Sequence, residues 1–188
     1  MIFAAASFFK RYTMSSSSSR LFRKWSLLLV ITLFSMFNAG LLQAQSFAEN
    51  ISSIQAVTIR LKPGEDLKTM LDRFAASNKI KAACIITCVG SLEKACIRYA
   101  NEPNTDTITG KREIVSLTGT LAESGSHLHI SISDSTGKTI GGHLKEGSLV
   151  YTTAEIVIAI LPDLIYSREV DSTYGYKELS IKKKKGRK

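Results

Sequence analysis

Hydrophobic and polar residues alternate along most of the chain after residue 50, which is the period of half-buried β-strands. A break at Gly90-Ser91 interrupts the alternation, and residues 101–110 are predicted to form a polar loop. The predicted strands are Ile54–Leu61, Lys81–Val89, Ala95–Ala100, Ile114–Leu121, His127–Ser133, Lys138–Lys145, Val150–Leu161 and Tyr176–Ile181.

One stretch has the helical period instead. Leu67, Met70, Leu71 and Phe74 recur at intervals of three and four residues, directly after the turn-forming segment Pro63–Asp66. Glu65 and Asp66 of this segment would lie at the start of the helix, where the positive end of the helix dipole favours acidic residues. One helix followed almost entirely by strands predicts an α+β domain on a large, mainly antiparallel β-sheet with few helices.

Asp134–Gly137 is a turn signal between two alternating segments. A three-residue loop would put Gly137 at the left-handed position of a type I turn with a bulge. The resulting register places apolar residues opposite each other on one face of the hairpin, for example Ile132 opposite Ile140. A two-residue loop would lose this match, so the three-residue loop is favoured.

The opposite face of this hairpin collects all three histidines of the chain. His129 faces His143, and His127 is the next residue of the same face. Directly opposed Cβ atoms lie ~5 Å apart and same-face neighbours ~7 Å, distances that suit imidazoles converging on one ion. Gly141 and Gly142 beside them leave room for a ligand or for a close backbone.

Three interpretations of the cluster stay open. Three histidines with one open position form a known type of zinc site, so zinc or another divalent transition metal is one of them. The imidazoles could instead form hydrogen bonds in a half-buried sheet or at a subunit contact, or carry out acid–base chemistry without a metal. No serine or carboxylate stands at a spacing that would indicate a catalytic triad.

The N-terminal region has a different pattern. Three basic residues within positions 20–24 precede the apolar run Trp25–Leu42, and small residues follow. This order predicts a secretory signal peptide over residues 1–48, with an uncleaved membrane anchor as the alternative. A start at Met14 would give a more ordinary length, so residues 1–13 are a candidate mis-assigned start. The rest is predicted to be periplasmic or secreted.

The net charge of +9 is unevenly distributed. After residue 48 there are 20 Lys and Arg against 16 Asp and Glu, and six of the basic residues lie in Lys182–Lys188. Without that tail the counts are 14 against 16, whereas a phosphate-binding domain concentrates positive charge on its folded surface. We expect no nucleic-acid partner, and a disordered tail that could contact anionic lipid or polymer.

Several segments, in order, resemble the PPC domain, the plant- and prokaryote-conserved domain that accompanies AT-hooks in plant nuclear proteins. The resemblance covers about residues 54–181, within a domain predicted over 49–181, and its most specific part is HLHISISDSTGKTIGGHLKEG. The other segments are GED (64–66), VGSLEKACIR (89–98), GKREIVSLTGT (110–120), VYTTAEIVI (150–158) and SREVDSTYGYKELSI (167–181).

The resemblance implies a large antiparallel sheet that assembles as a homotrimer, and a metal-binding set at His127, His129 and His143. It also implies partner contacts through Gly110, Lys111, Arg112, Glu113, Ile114 and Val115. Lys111-Arg112 replaces the Arg-Phe of the plant segment, so that interaction does not carry over directly. The chain has no Arg-Gly-Arg-Pro element of the AT-hook type.

A trimeric binding or assembly module with a three-histidine metal site is therefore the favoured function. A metal-dependent enzyme is the alternative, in which Glu93, Arg98 or Arg168 would lie in a cleft beside the ion. The third hypothesis is a structural or interaction protein whose trimerisation is its main property. DNA binding by family label is disfavoured by the signal peptide and the missing AT-hook. We lean against an enzyme because no acid–base pair stands at a working spacing.

Overall fold

The structure is a computed structural model that describes residues 50–173 and 175–185. The whole predicted signal peptide and the last three residues of the basic tail lie outside the described residues. In the described part, no helix has the length and apolarity needed to cross a membrane. The elements are β1 (Gln55–Leu61), α1 (Leu67–Ser77), β2 (Ala83–Arg98), β3 (Asp106–Ala122), β4 (Gly125–Ser133), β5 (Thr139–Leu144), β6 (Leu149–Ile160), β7 (Leu164–Val170) and β8 (Lys177–Lys183).

Six strands form one antiparallel sheet in the order β1-β6-β2-β3-β4-β5. The long strand β2 also pairs with β5, through Ile97 with Leu144 and Arg98 with His143. Strands β2 to β5 are therefore linked in a closed ring of pairings, which brings the end of β2 beside the predicted histidine hairpin. Strands β7 and β8 form a separate two-stranded ribbon.

The helix α1 covers one side of this sheet. Asp66 caps it, since its Oδ1 accepts a hydrogen bond from the Thr69 amide (2.8 Å). Leu67, Leu71 and Ala75 are completely buried on the face that the apolar period predicted. They join one core with the inward residues of the strands, such as Ile130. The predicted α+β fold with a mainly antiparallel sheet is thus confirmed.

The predicted break at Gly90-Ser91 is wrong, because β2 runs through it without interruption for 16 residues. The register against β6 shifts between Gly90 and Leu92, so the strand passes this point at a bulge. The predicted loop 101–110 is also too long, since β3 begins at Asp106 opposite Ile97. Polar residues are acceptable there because the side chains of this strand end are exposed, except for the half-buried Ile108.

Both strands of the ribbon, β7 and β8, differ from the predicted elements. β7 was not predicted, and its side chains are half-buried near its start and exposed at its end, so they give no clean alternation. β8 continues to Lys183, two residues into the segment predicted to be a disordered tail. Lys182 contacts Glu169 of β7 (3.1 Å), so pairing between the two strands orders this start of the tail.

Candidate metal centre

The histidine hairpin has the predicted register. His129 pairs with His143 and Ile132 pairs with Ile140 across β4 and β5. At the turn, the Gly137 amide donates to the Asp134 carbonyl (2.9 Å), and Gly137 has a φ of 81°, which glycine adopts without strain. Turn chemistry and apolar alternation therefore decide which side chains share the outer face.

Neighbouring strands extend this face into rows of side chains. His129 lies between Thr118 of β3 and His143 of β5, and His143 lies beside Arg98 of β2. His127 belongs to the next row, opposite Thr120 of β3. Cross-strand partners point to the same face of a sheet, so the ring closure brings an arginine next to the imidazoles.

The three imidazoles lie in mutual contact. Their ring centroids are 4.8 Å apart for His127 and His143, 5.1 Å for His127 and His129, and 5.6 Å for His129 and His143. One nitrogen of each ring lies within 4.8 Å of a nitrogen of both others. Among the described residues, no carboxylate or thiol joins the three rings in this group.

Burial and neighbouring cations disfavour the protonated imidazoles. Burial, then His127 and Arg98, lower the pKa of His143 from 6.5 to about 4. Burial, then Arg168, lower the pKa of His127. Both rings are therefore neutral at neutral pH, which leaves nitrogen lone pairs available for a metal.

Two observations indicate that the three histidines could hold a metal ion. Nδ1 of His143 is buried and has no hydrogen-bond partner in the described part of the chain, a situation that costs about 1–3 kcal/mol for a polar atom. Tetrahedral zinc with bonds of ~2.0–2.1 Å holds its ligand nitrogens about 3.3 Å apart. The three candidate nitrogens lie within 4.8 Å of one another, which is close to that distance.

Gly142, the residue before His143, allows the backbone of β5 to approach β2 closely. A Cβ on Gly142 would lie 2.8 Å from the carbonyl oxygen of Arg98 and 2.9 Å from Cγ2 of Ile97. Of the two roles expected for Gly142, the close backbone is the one observed. Gly142 permits β5 to reach β2, and so permits Arg98 to lie beside the cluster.

A cavity of about 890 Å³ opens beside His127 and His143. Arg98 and Arg168, two of the three predicted cleft residues, line it, whereas Glu93 is exposed on β2 and is not part of the lining. Sequence reasoning named Arg168 of β7 but missed the rest of the ribbon, of which only the strand Tyr176–Ile181 was predicted. The loop after β2 contributes Ala100, Asn101, Glu102 and Pro103, β4 contributes Ser126, and the ribbon contributes Tyr176, Lys177 and Glu178.

The predicted partner segment Gly110–Val115 lies in the middle of β3. Val115 is 56% exposed and Ile114 is buried. Lys111 lies over the ring of Tyr151, with 4.4 Å from Nζ to the ring centroid, and Arg112 contacts Asp134 (3.1 Å). The two residues that depart from the plant pattern are thus held by contacts within the same chain.

The fold and the site together define a small α+β protein with a histidine triad on the outer face of a closed antiparallel sheet. The chain belongs to the Plants and Prokaryotes Conserved (PCC) domain family, which it matches over residues 49–162. The family membership expected from the resemblance is confirmed.

The chain is also similar to solved structures and to part of a curated relative. A hypothetical protein from Salmonella enterica is 41% identical, with a TM-score of 0.71 over 72% of this chain and 98% of its own. A plant- and prokaryote-conserved protein from Pyrococcus horikoshii is 28% identical, with a TM-score of 0.61 over 68% of this chain and 92% of its own. The bifunctional protein GlmU of a Synechococcus strain is 42% identical over 70% of this chain, but the match spans only 21% of that relative.

Proposed function

We propose that this chain is a metal-binding member of its family, which holds zinc or another divalent transition metal on His127, His129 and His143. The observation that carries the proposal is the convergence of three imidazoles, one of which has a buried nitrogen without a partner. The lowered pKa values of His127 and His143 support it, because a metal competes with protons for the same lone pairs.

The coordination position that the three histidines leave open favours a role in binding a ligand, and it would also permit catalysis. Three protein ligands leave a fourth position of a tetrahedral ion free, and His127 and His143 line the cavity from which a ligand would reach it. An enzyme that uses such a position is the second candidate. Glu93, the carboxylate named for that candidate, is not part of the cavity lining. The carboxylates that are, Glu102 and Glu178, are not grouped with the three imidazoles, so a binding role is favoured.

Assembly and location belong to the same proposal. The chain is proposed to act as an exported homotrimer, periplasmic or secreted, with no nucleic-acid partner. Exposed apolar residues on the neighbouring strands β2 and β3, namely Ile86, Val89 and Val115, support a subunit contact there. The apolar run before residue 48 supports export. A reporter fused after residue 48 should leave the cytoplasm, and its retention there would contradict the export proposal.

Elemental analysis of protein purified without chelators tests the metal proposal. Wild type should carry stoichiometric metal, and His129→Ala/His143→Ala should carry none, because one imidazole alone is a weak ligand. Thr139→Ala is a matched control in the same hairpin, exposed and outside the triad. Equally low metal in wild type and double variant, after both have been offered zinc, would contradict the proposal.

A further inference from the structure

Two arginines flank the histidine triad without an acidic partner among the residues that the structure describes. Arg98 is the cross-strand neighbour of His143, and Arg168 donates from Nη2 to Oγ1 of Thr120 (3.1 Å), the cross-strand neighbour of His127. Neither guanidinium forms an ion pair with a carboxylate of residues 50–173 and 175–185.

Both guanidinium groups keep donors available for a ligand. A guanidinium has five N–H donors. Within the described part of the chain, Arg168 uses one on Thr120, and Arg98 has one contact of 3.4 Å to the carbonyl oxygen of Glu102. Both side chains are half-buried, so solvent screens their charge less than at an open surface.

The charge around the triad is unusual for a cation site. An imidazole ligand brings no negative charge to a metal ion. The charged side chains that line the cavity are three cationic and two anionic, so the lining adds positive charge. The cationic ones are Arg98, Arg168 and Lys177, and the anionic ones are Glu102 and Glu178. A dication placed there would be repelled by its surroundings unless an anion entered with it.

The cavity also offers a further polar group to such an anion. Ser126 is one of the residues that line the cavity, and its hydroxyl is buried and has no hydrogen-bond partner among the described residues. A hydroxyl can donate to an oxyanion, as the arginines do. The cavity volume of about 890 Å³ accommodates a small organic molecule rather than a bare ion.

We propose that the cavity binds a small molecule bearing a carboxylate or phosphate group, which Arg98 and Arg168 hold against the metal centre. The inference rests on the proposed metal function and extends it by naming the ligand chemistry. The β7–β8 ribbon brings Arg168 and so forms one half of the anion clamp. Metal and anion should bind cooperatively, because each offsets the charge that opposes the other.

Titration of Co²⁺, followed by its visible absorption, tests this cooperativity in the full mature protein. Added acetate or inorganic phosphate should tighten Co²⁺ binding by wild type roughly fivefold or more, at the low end of typical couplings. In Arg168→Gln the anion effect should disappear, while Co²⁺ binding without anion should become tighter because a repelling charge is gone. Arg73→Gln, the same charge change on the exposed surface of α1, should behave as wild type.

The outcomes separate the two proposals. Co²⁺ binding that does not respond to either anion, or an Arg168→Gln variant that responds as wild type does, would overturn the anion site and leave the metal site standing. Failure of wild type to bind Co²⁺ at all would overturn both. A response to acetate alone or to phosphate alone supports the site and identifies which group it takes. Thermal unfolding of each variant checks that Arg168→Gln is folded.

Discussion

At the scale of single residues, Asp134 joins the turn of the histidine hairpin to the strand beside it. Its Oδ1 accepts hydrogen bonds from the hydroxyl and the amide of Thr136 (2.6 and 2.9 Å) and from the Lys138 amide (3.1 Å). Its Oδ2 contacts Arg112 of β3 (3.1 Å). These bonds, the Thr136 hydroxyl foremost, lower the pKa of Asp134 from 3.8 to about 2.

The lowered pKa makes the contribution of Asp134 dependent on pH. A carboxylate with a depressed pKa in the folded state stabilises the protein above its unfolded pKa of 3.8, and this stabilisation is lost as pH falls towards 2. Asp134→Ala should therefore lower the melting temperature at pH 7, and the difference from wild type should shrink between pH 4 and pH 2. Thermal unfolding by circular dichroism measures it.

A matched control separates the turn from general charge loss. Asp171→Ala removes a carboxylate from the turn between β7 and β8 and leaves the hairpin unchanged. A melting-temperature difference for Asp134→Ala that stayed constant down to pH 2 would contradict this account.

Some side chains of the site are positioned by residues nearby in the sequence, and others by pairings between distant strands. Turn residues and alternation within about twenty residues place His127, His129 and His143 on one face, so their grouping could be predicted. Arg98 and Arg168 could be named only as candidates. Their positions depend on pairings between residues far apart in sequence, such as Arg98 with His143.

At the scale of elements, the pairing of β5 with β2 decides the shape of the site. It is short, and it requires the close approach at Gly142. The bulge in β2 near Gly90 belongs to the same strand, which bends enough to pair with β6, β3 and β5 along its length. A glycine in sequence predicts either a break or a bulge, and only the neighbouring strands decide between them.

Gly142→Ala should weaken this closure. The added Cβ would meet backbone and a buried side chain at less than 3 Å, and such overpacking typically costs about 1–3 kcal/mol. The variant should unfold at lower denaturant concentration and should bind metal less well, because His143 follows directly in the chain. Thr139→Ala on the same strand is the control. A fully stable Gly142→Ala would show that β5 does not approach β2 this closely.

At the scale of the whole molecule, exposed apolar residues on β2 and β3 lead to a prediction about assembly. Light scattering during size exclusion should give three times the mass of one chain for the mature protein. Val89→Asp/Val115→Asp should reduce this to the mass of one chain, because it places charge in the proposed contact. Val170→Asp, at an equally exposed valine of β7, should leave the mass unchanged. A monomeric wild type would contradict the assembly proposal.

The sequence by itself determined the α+β class, the helix α1, the hairpin register and the grouping of three histidines. Each follows from periodicity or turn chemistry over a short stretch, and the family motif lies in the same stretch. Only the tertiary structure decided that β2 is one strand, that it closes onto β5, and that the β7–β8 ribbon supplies a cavity wall. Those features depend on contacts between distant residues, which a local pattern does not encode.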